Sequence, residues 1–124
     1  MTKKKILLLT TGGTIASHKT EHGLAPALTA EEILEFLPFM DNVCSLEAQN
    51  LFGIDSTNMT CGHWMQIVHA IEENYEAFDG FVVCHGTDTM AYTAAALSYM
   101  IQNSAKPIVL TGSQRPPEME ISDA

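Results

Sequence analysis

Twice in this chain an unbroken apolar run stops at a loop made of hydroxyls and glycines. Ile6-Leu7-Leu8-Leu9 runs into Thr10-Thr11-Gly12-Gly13-Thr14-Ile15-Ala16-Ser17, and Phe81-Val82-Val83-Cys84 runs into His85-Gly86-Thr87-Asp88-Thr89. A short apolar run without polar alternation fits a strand buried on both faces, as in a parallel sheet covered by helices. Sheets of that kind bind ligands in the loops beyond the carboxyl ends of their strands. Loops this rich in oxygen suit a small polar substrate and its attack by an oxygen nucleophile.

The rest of the chain alternates accordingly. Residues 4–10 read as the first strand, and residues 17–27, with no period and with Gly23 and Pro26, as a loop long enough to be functional. Thr29-Ala30-Glu31-Glu32 is a capping box that opens a helix with Ile33, Leu34 and Leu37 on its apolar face and Pro38 as its stop. Residues 43–50 form a weaker strand, and residues 50–58 a polar loop holding Asp55, Ser56 and Thr57. Thr60 caps a second helix, on which Trp64, Ile67, Val68 and Ile71 recur at helical spacing. Residues 81–84, 89–102 and 107–111 give a strand, an alanine-rich helix and a fourth strand, and Gly112-Ser113 follows. This order predicts an α/β fold of three layers, α/β/α, with a parallel sheet and right-handed crossovers. In a flavodoxin- or Rossmann-like 2-1-3-4 order, the loops after strands one and three flank the crevice, with Thr14 opposite Thr87 and Asp88. No helix is legible after the fourth strand. That leaves a sheet edge bare and suggests the front part of a longer chain.

Composition narrows the partners. Fifteen acidic residues against six Lys plus Arg give a formal charge of −9 over 124 residues, which argues against nucleic acid or an anionic membrane as partner. Lys3-Lys4-Lys5 is a solvated lead-in, because the apolar run behind it is too short for a signal peptide. No run reaches transmembrane length. Cys44, Cys61 and Cys84 show no metal or redox spacing and read as buried thiols in a reducing cytoplasm. His18, His22, His63 and His69 have no acidic partner at ligand spacing, so no metal is expected.

Several chemistries remain open on residue type alone. Thr14 can be a nucleophile or can simply satisfy turn backbone. Asp88 can hold a substrate amine or cap the following helix, a task Thr89 can also perform. His85 invites a triad with Asp88 and Ser113 or Ser56, although no nucleophile-elbow pattern is present. The dinucleotide and P-loop fingerprints are absent. Thr10 to Thr14 could nevertheless cradle the phosphate of FMN in a flavodoxin-like module, without aromatic cover for the flavin.

Taken together, T-G-G-T-I-A after the first strand and H-G-T-D-T-M after a later one resemble the two signatures of the asparaginase/glutaminase family. Ile54-Asp55-Ser56-Thr57-Asn58-Met59 is similar to its substrate loop, and Thr111-Gly112-Ser113-Gln114 to a further strand-end segment. The likeness spans residues 4–124 and is strongest to the cytoplasmic, type I branch. It implies the amino-terminal part of the first α/β domain of a two-domain, homo-oligomeric enzyme. That enzyme would hydrolyse L-asparagine, or L-glutamine, through an acyl-threonine and without a cofactor. The resemblance makes Thr14 the nucleophile, Thr87 the hydroxyl of the second catalytic group and Asp88 the binder of the substrate amine. Ser56, flanked by Asp55 and Thr57, would hold the substrate carboxylate, and backbone near Ser113 its side-chain amide. Two departures follow. The tyrosine that many members carry in the loop after T-G-G-T aligns with Leu24, which has no hydroxyl. The family's catalytic lysine would lie beyond Ala124, so the catalytic set within residues 1–124 is expected to be incomplete.

Overall fold

The computed structural model describes residues 2–20, 23–26, 29–117 and 120–123. In chain order it contains β1 (Lys4–Gly12), β2 (Ser17–Thr20), β3 (Gly23–Pro26), α1 (Ala30–Glu35), β4 (Cys44–Ile54), α2 (Cys61–Asn74), β5 (Gly80–Cys84), α3 (Met90–Met100) and β6 (Ile108–Thr111). The main sheet has the order β4-β1-β5-β6, and each neighbouring pair is parallel. Among the four parallel strands this is the 2-1-3-4 order.

The apolar run of β1 is explained by its place at the centre of that sheet. Leu7 and Leu9 face one side with Phe81 and Val83, against Ile67 and Ile71 of α2 and Leu97 of α3. Leu8 faces the other side with Cys84, against Ile15 and Ile33. Alternate side chains of one strand thus enter two cores, so neither face can tolerate polar residues. Burying each such side chain contributes about 1.5–3 kcal/mol.

Local signals set the helices. Thr29 and Glu32 exchange both bonds of the capping box: Glu32 N–H donates to the Thr29 hydroxyl oxygen at 3.2 Å, and Thr29 N–H to the Glu32 carboxylate at 2.7 Å. Pro38 keeps Leu37 out of helical backbone, so α1 ends at Glu35. At the start of α2 a histidine stands where the acid usually does, and Thr60 N–H donates to His63 Nδ1 at 3.1 Å.

Three expectations are corrected. The segment read as a loop over 17–27 contains an antiparallel hairpin, with Ser17 opposite Pro26 and Thr20 opposite Gly23; Glu21, His22 and Ala27 lie outside the described residues. Gly23 and Pro26 sit at the ends of β3, where strands accept them. The strand read over 43–50 continues through the supposed polar loop to Ile54. Leu51 and Phe52 pack on the α2 side of the core, which carries the pairing further than polar composition suggests. Cys44 and Cys84 are buried, but Cys61 is exposed at the start of α2.

The face that carries α1 is only partly covered. An apolar groove of about 610 Å³ runs over Ile6, Leu8, Ile33, Val82, Pro107 and Val109, and Val109 on edge strand β6 is 51% exposed.

Leu9 and Val109 therefore differ sharply in what they hold. Leu9→Ala should cost about 2–5 kcal/mol in denaturant unfolding, whereas Val109→Ala should cost well under about 1 kcal/mol. Equal losses at the two sites would contradict the assignment of the two faces.

Candidate active site

The carboxyl ends of the four parallel strands align in one row. Asn50, Thr10, Cys84 and Thr111 are successive register partners across the sheet, and His85 N–H continues the pairing to the Thr111 carbonyl at 2.8 Å. The Thr10 hydroxyl bonds the Asn50 side chain, and the Thr11 hydroxyl donates to the Cys84 carbonyl at 2.8 Å. Threonines at the end of β1 thereby tie both neighbouring strands to it just below the rim.

Above that row the loops close on each other at glycines. Gly13 has φ +80°, and its N–H donates to the Ile54 carbonyl at 3.2 Å. A Cβ on Gly13 would lie 2.5 Å from Gly86 Cα, and one on Gly86 would lie 2.7 Å from Ser56 Cβ. No other residue type fits either contact without displacing backbone or a buried serine. Thr14, Ser56 and Thr87 are thus each in, or one residue from, a single three-loop contact.

Thr14 opens the 3-10 turn Thr14–Ala16 and is half-buried. Ser56 is buried in the next turn, Ser56–Asn58. Asp55 caps that turn, accepting from Thr57 N–H and from the Thr57 hydroxyl, both at 2.9 Å. These bonds, the backbone one first, hold the Asp55 carboxyl below its ordinary range. The Thr89 hydroxyl donates to the Ser56 carbonyl at 2.7 Å, joining the second and third loops. Thr89, not Asp88, stands at the N-cap of α3, and its side chain makes no capping bond. Asp88 is exposed at the rim, so the capping alternative fails for both residues.

At the fourth strand, Ser113 is buried and its hydroxyl donates to the Arg115 carbonyl at 2.7 Å. That hydroxyl is engaged locally, which leaves backbone for any substrate contact there. The neighbouring Gln114 was not singled out by its residue type, yet its amide donates to Thr87 Oγ1 at 3.0 Å. The Asp123 carboxylate anchors this segment by accepting from Gln114 N–H and Arg115 N–H, both at 2.9 Å. Nothing local in the sequence signals a contact between residues this far apart.

The triad reading of His85 is not met. Its ring is buried, with Nδ1 2.7 Å from the Gly86 carbonyl and Nε2 2.8 Å from Thr93 Oγ1, so neither nitrogen remains for Asp88 or a serine. The FMN reading also fails on geometry. The Gly13 amide is spent on Ile54, and the glycines are closed against Ile54 and Gly86 rather than open as a phosphate cradle. Among the described residues no group of three His, Cys, Asp or Glu side chains could hold a metal. His69 does have an acidic neighbour, Glu73, one turn on at 3.2 Å; His22 lies outside the described residues. Among the described residues no helix is long and apolar enough to cross a membrane.

The lowered Asp55 group makes a pH prediction with a definite sign. Its stabilising contribution to the turn is full above the ordinary carboxylate range and is lost as pH falls through the depressed value. Thr57→Val removes the hydroxyl donor and keeps the backbone one. In an NMR titration it should move the Asp55 carboxyl part of the way back up; an unchanged midpoint would remove the hydroxyl as a cause.

The chain is similar in sequence and fold to known proteins. The family model for the asparaginase N-terminal domain matches residues 5–124. An L-asparaginase of Thermococcus kodakarensis is 45% identical over 121 residues, which cover 97% of this chain and 37% of that protein. One component of the glutamyl-tRNA(Gln) amidotransferase of Metallosphaera sedula is 44% identical, covering 97% of this chain and 28% of that one. The solved Thermococcus kodakarensis asparaginase superposes with a TM-score of 0.87 over 96% of this chain and 37% of its own. L-asparaginase I of Vibrio cholerae does so with a TM-score of 0.85 at 36% identity, over 98% of this chain and 37% of its own. The chain therefore spans little more than a third of the length of these asparaginases. With that family model matched along nearly all of its length, and with the rim loops built as described, the chain belongs to the asparaginase family as a carrier of its N-terminal domain sequence.

Proposed function

We propose that this chain supplies the nucleophile and most of the substrate crevice of an amidohydrolase that converts L-asparagine to L-aspartate and ammonia. The Thr14 oxygen adds to the side-chain carboxamide carbon, the C–N bond breaks, and the nitrogen leaves as ammonia with the proton given up by the Thr14 hydroxyl. Water then adds to the acyl-threonine ester, aspartate departs, and the Thr14 hydroxyl is restored. Thr87 is the hydroxyl of the second catalytic group, the one that handles this water. Asp88 binds the substrate ammonium, Ser56 its α-carboxylate between Asp55 and Thr57, and backbone beside Ser113 the amide. No cofactor takes part.

The observation that carries this reading is the backbone contact of Gly13 with Gly86, because it sets Thr14 and Thr87 one residue to either side of a common point. Asp88 supports it further, since an exposed carboxylate without a capping duty is available to an ammonium group. The acidic net charge does not oppose binding of a zwitterion, whose recognition depends on the crevice and not on the far field. A lysine beyond Ala124 and a homo-oligomeric, cytoplasmic state belong to the same reading, and the buried free thiols of Cys44 and Cys84 are compatible with that compartment. Burial raises the Cys84 thiol to about 11, which keeps it inert beside the site.

The similarity to an amidotransferase component favours a second reading, in which the released ammonia is passed to an acceptor. Free L-asparagine separates the two, because only the first requires its rapid turnover without an acceptor.

The test is ammonia release from L-asparagine by the protein expressed with the sequence that follows Ala124. Thr14→Ala should lower kcat by roughly a thousandfold or more, and Asp88→Asn should raise KM and reduce kcat/KM by about a hundredfold. Unaltered turnover in Thr14→Ala would exclude Thr14 as the nucleophile. Residues 1–124 alone should release little ammonia, since loss of one member of a catalytic set costs orders of magnitude.

A further inference from the structure

Beneath the loop that carries Thr87 lies a buried chain of hydrogen bonds reaching through two helices. Trp64 on α2 donates its Nε1–H to Thr93 Oγ1 on α3 at 2.9 Å. The same oxygen is 2.8 Å from His85 Nε2, and His85 Nδ1 is 2.7 Å from the Gly86 carbonyl. Thr93 and His85 are both fully buried.

The donor inventory fixes the direction of every link. An indole N–H only donates and a carbonyl only accepts. The Gly86 carbonyl therefore takes a proton from Nδ1, and Nε2 of the neutral ring is left as an acceptor. The Thr93 hydroxyl must then donate to Nε2 while its lone pair receives the Trp64 proton. Burial, which lowers the His85 pKa, favours the neutral ring this order requires.

The end of the chain is the peptide between Gly86 and Thr87. Gly86 has no side chain of its own to steer this peptide, and it lies against Gly13 on one side and the Ser56 side chain on another. Described peptide bonds are trans, so a carbonyl held toward the imidazole turns the Thr87 N–H away from it. The rotation of this one plane sets where the Thr87 side chain starts.

We propose that His85 is a positioning residue. Locked as its Nδ1–H tautomer by Thr93 and Trp64, it fixes the Gly86–Thr87 peptide and so aims the Thr87 hydroxyl, which Gln114 steadies from the outer side at 3.0 Å. The inference rests on the reading of Thr87 as a member of the catalytic set. It gives the histidine of H-G-T-D-T an orienting task without contact with substrate, and it extends the site to α2 and α3.

Two measurements on the full-length protein test it. Nitrogen-15 spectra should show His85 protonated at Nδ1 with Nε2 as a bare acceptor; an Nε2–H tautomer or a charged ring at neutral pH would overturn the relay. Thr93→Val, which keeps the shape and deletes the hydroxyl, should lower kcat by about tenfold or more with KM within about threefold, while Thr93→Ser keeps kcat within about threefold. A Thr93→Val protein with unchanged kcat, or a Thr93→Ser protein as impaired as Thr93→Val, would defeat the proposal. If the parent protein releases no ammonia from L-asparagine, the proposed function fails separately. The tautomer, and faster exchange of the Thr87 amide proton in Thr93→Val, then decide the relay alone.

Discussion

The site depends on an approach of loops that a side chain on either of two glycines would forbid. Gly13 lies against Gly86, and Gly86 against Ser56, at separations where an added Cβ would overlap its neighbour. Gly13 also needs a φ of +80°, which is strained for residues with a Cβ. These two features explain why a loop that ought to be expensive to order is closed. Glycine loses more backbone entropy than any other residue on folding, and here that cost secures a spacing between loops that no other residue type permits.

That spacing would be of little use without the sheet order beneath it. Because β1 lies between β4 and β5, the loops that leave these three strands are neighbours, and they open on the same edge because the strands are parallel. The register row through Asn50, Thr10, Cys84 and Thr111 makes that edge level. The apolar residues of β1 accomplish this from below: Leu7 and Leu9 bind the sheet to α2 and α3, and Leu8 binds it toward α1. The rim is therefore held by two cores, while its own surface is almost entirely hydroxyl, amide and carboxylate.

Much of this was legible in the residues. Fully apolar strands give themselves away by the absence of alternation, and a capping box such as Thr29 with Glu32 is a local chemical signal. Alternation of strands and helices gave the parallel sheet with right-handed crossovers, whereas the 2-1-3-4 order came only with the flavodoxin- or Rossmann-like arrangement it fits. What escaped reading was nonlocal or weakly patterned. The β2–β3 hairpin is built from two four-residue strands with a glycine and a proline at the ends of one, a composition equally suited to a loop. The outer half of β4 is stabilised by Leu51 and Phe52 meeting α2, a contact that strand propensity does not encode. In the site, the candidate threonines and acids were visible from composition, but Gln114 was not. Its amide matters only because Asp123 holds the segment where it can reach Thr87. The setting of His85 was hidden for a similar reason: one partner is the carbonyl of the next residue, but the other, Thr93, is brought to it by folding.

Closeness and direction come from different chemistry in this fold. Glycine contacts bring loops together but do not by themselves set how the neighbouring peptides are turned. Hydrogen bonds supply the direction, and each of the relevant ones crosses between elements: Thr11 to the carbonyl of Cys84, Thr89 to that of Ser56, Gln114 to the Thr87 hydroxyl. Of these, the bond from Thr11 is buried, and such a bond is costly to leave unmade, at about 1–3 kcal/mol for an orphaned group. The arrangement is therefore steeper than the modest net strength of each bond suggests. A rim assembled this way can hold a hydroxyl at a fixed aim, which is the contribution that positioning makes to a reactive group.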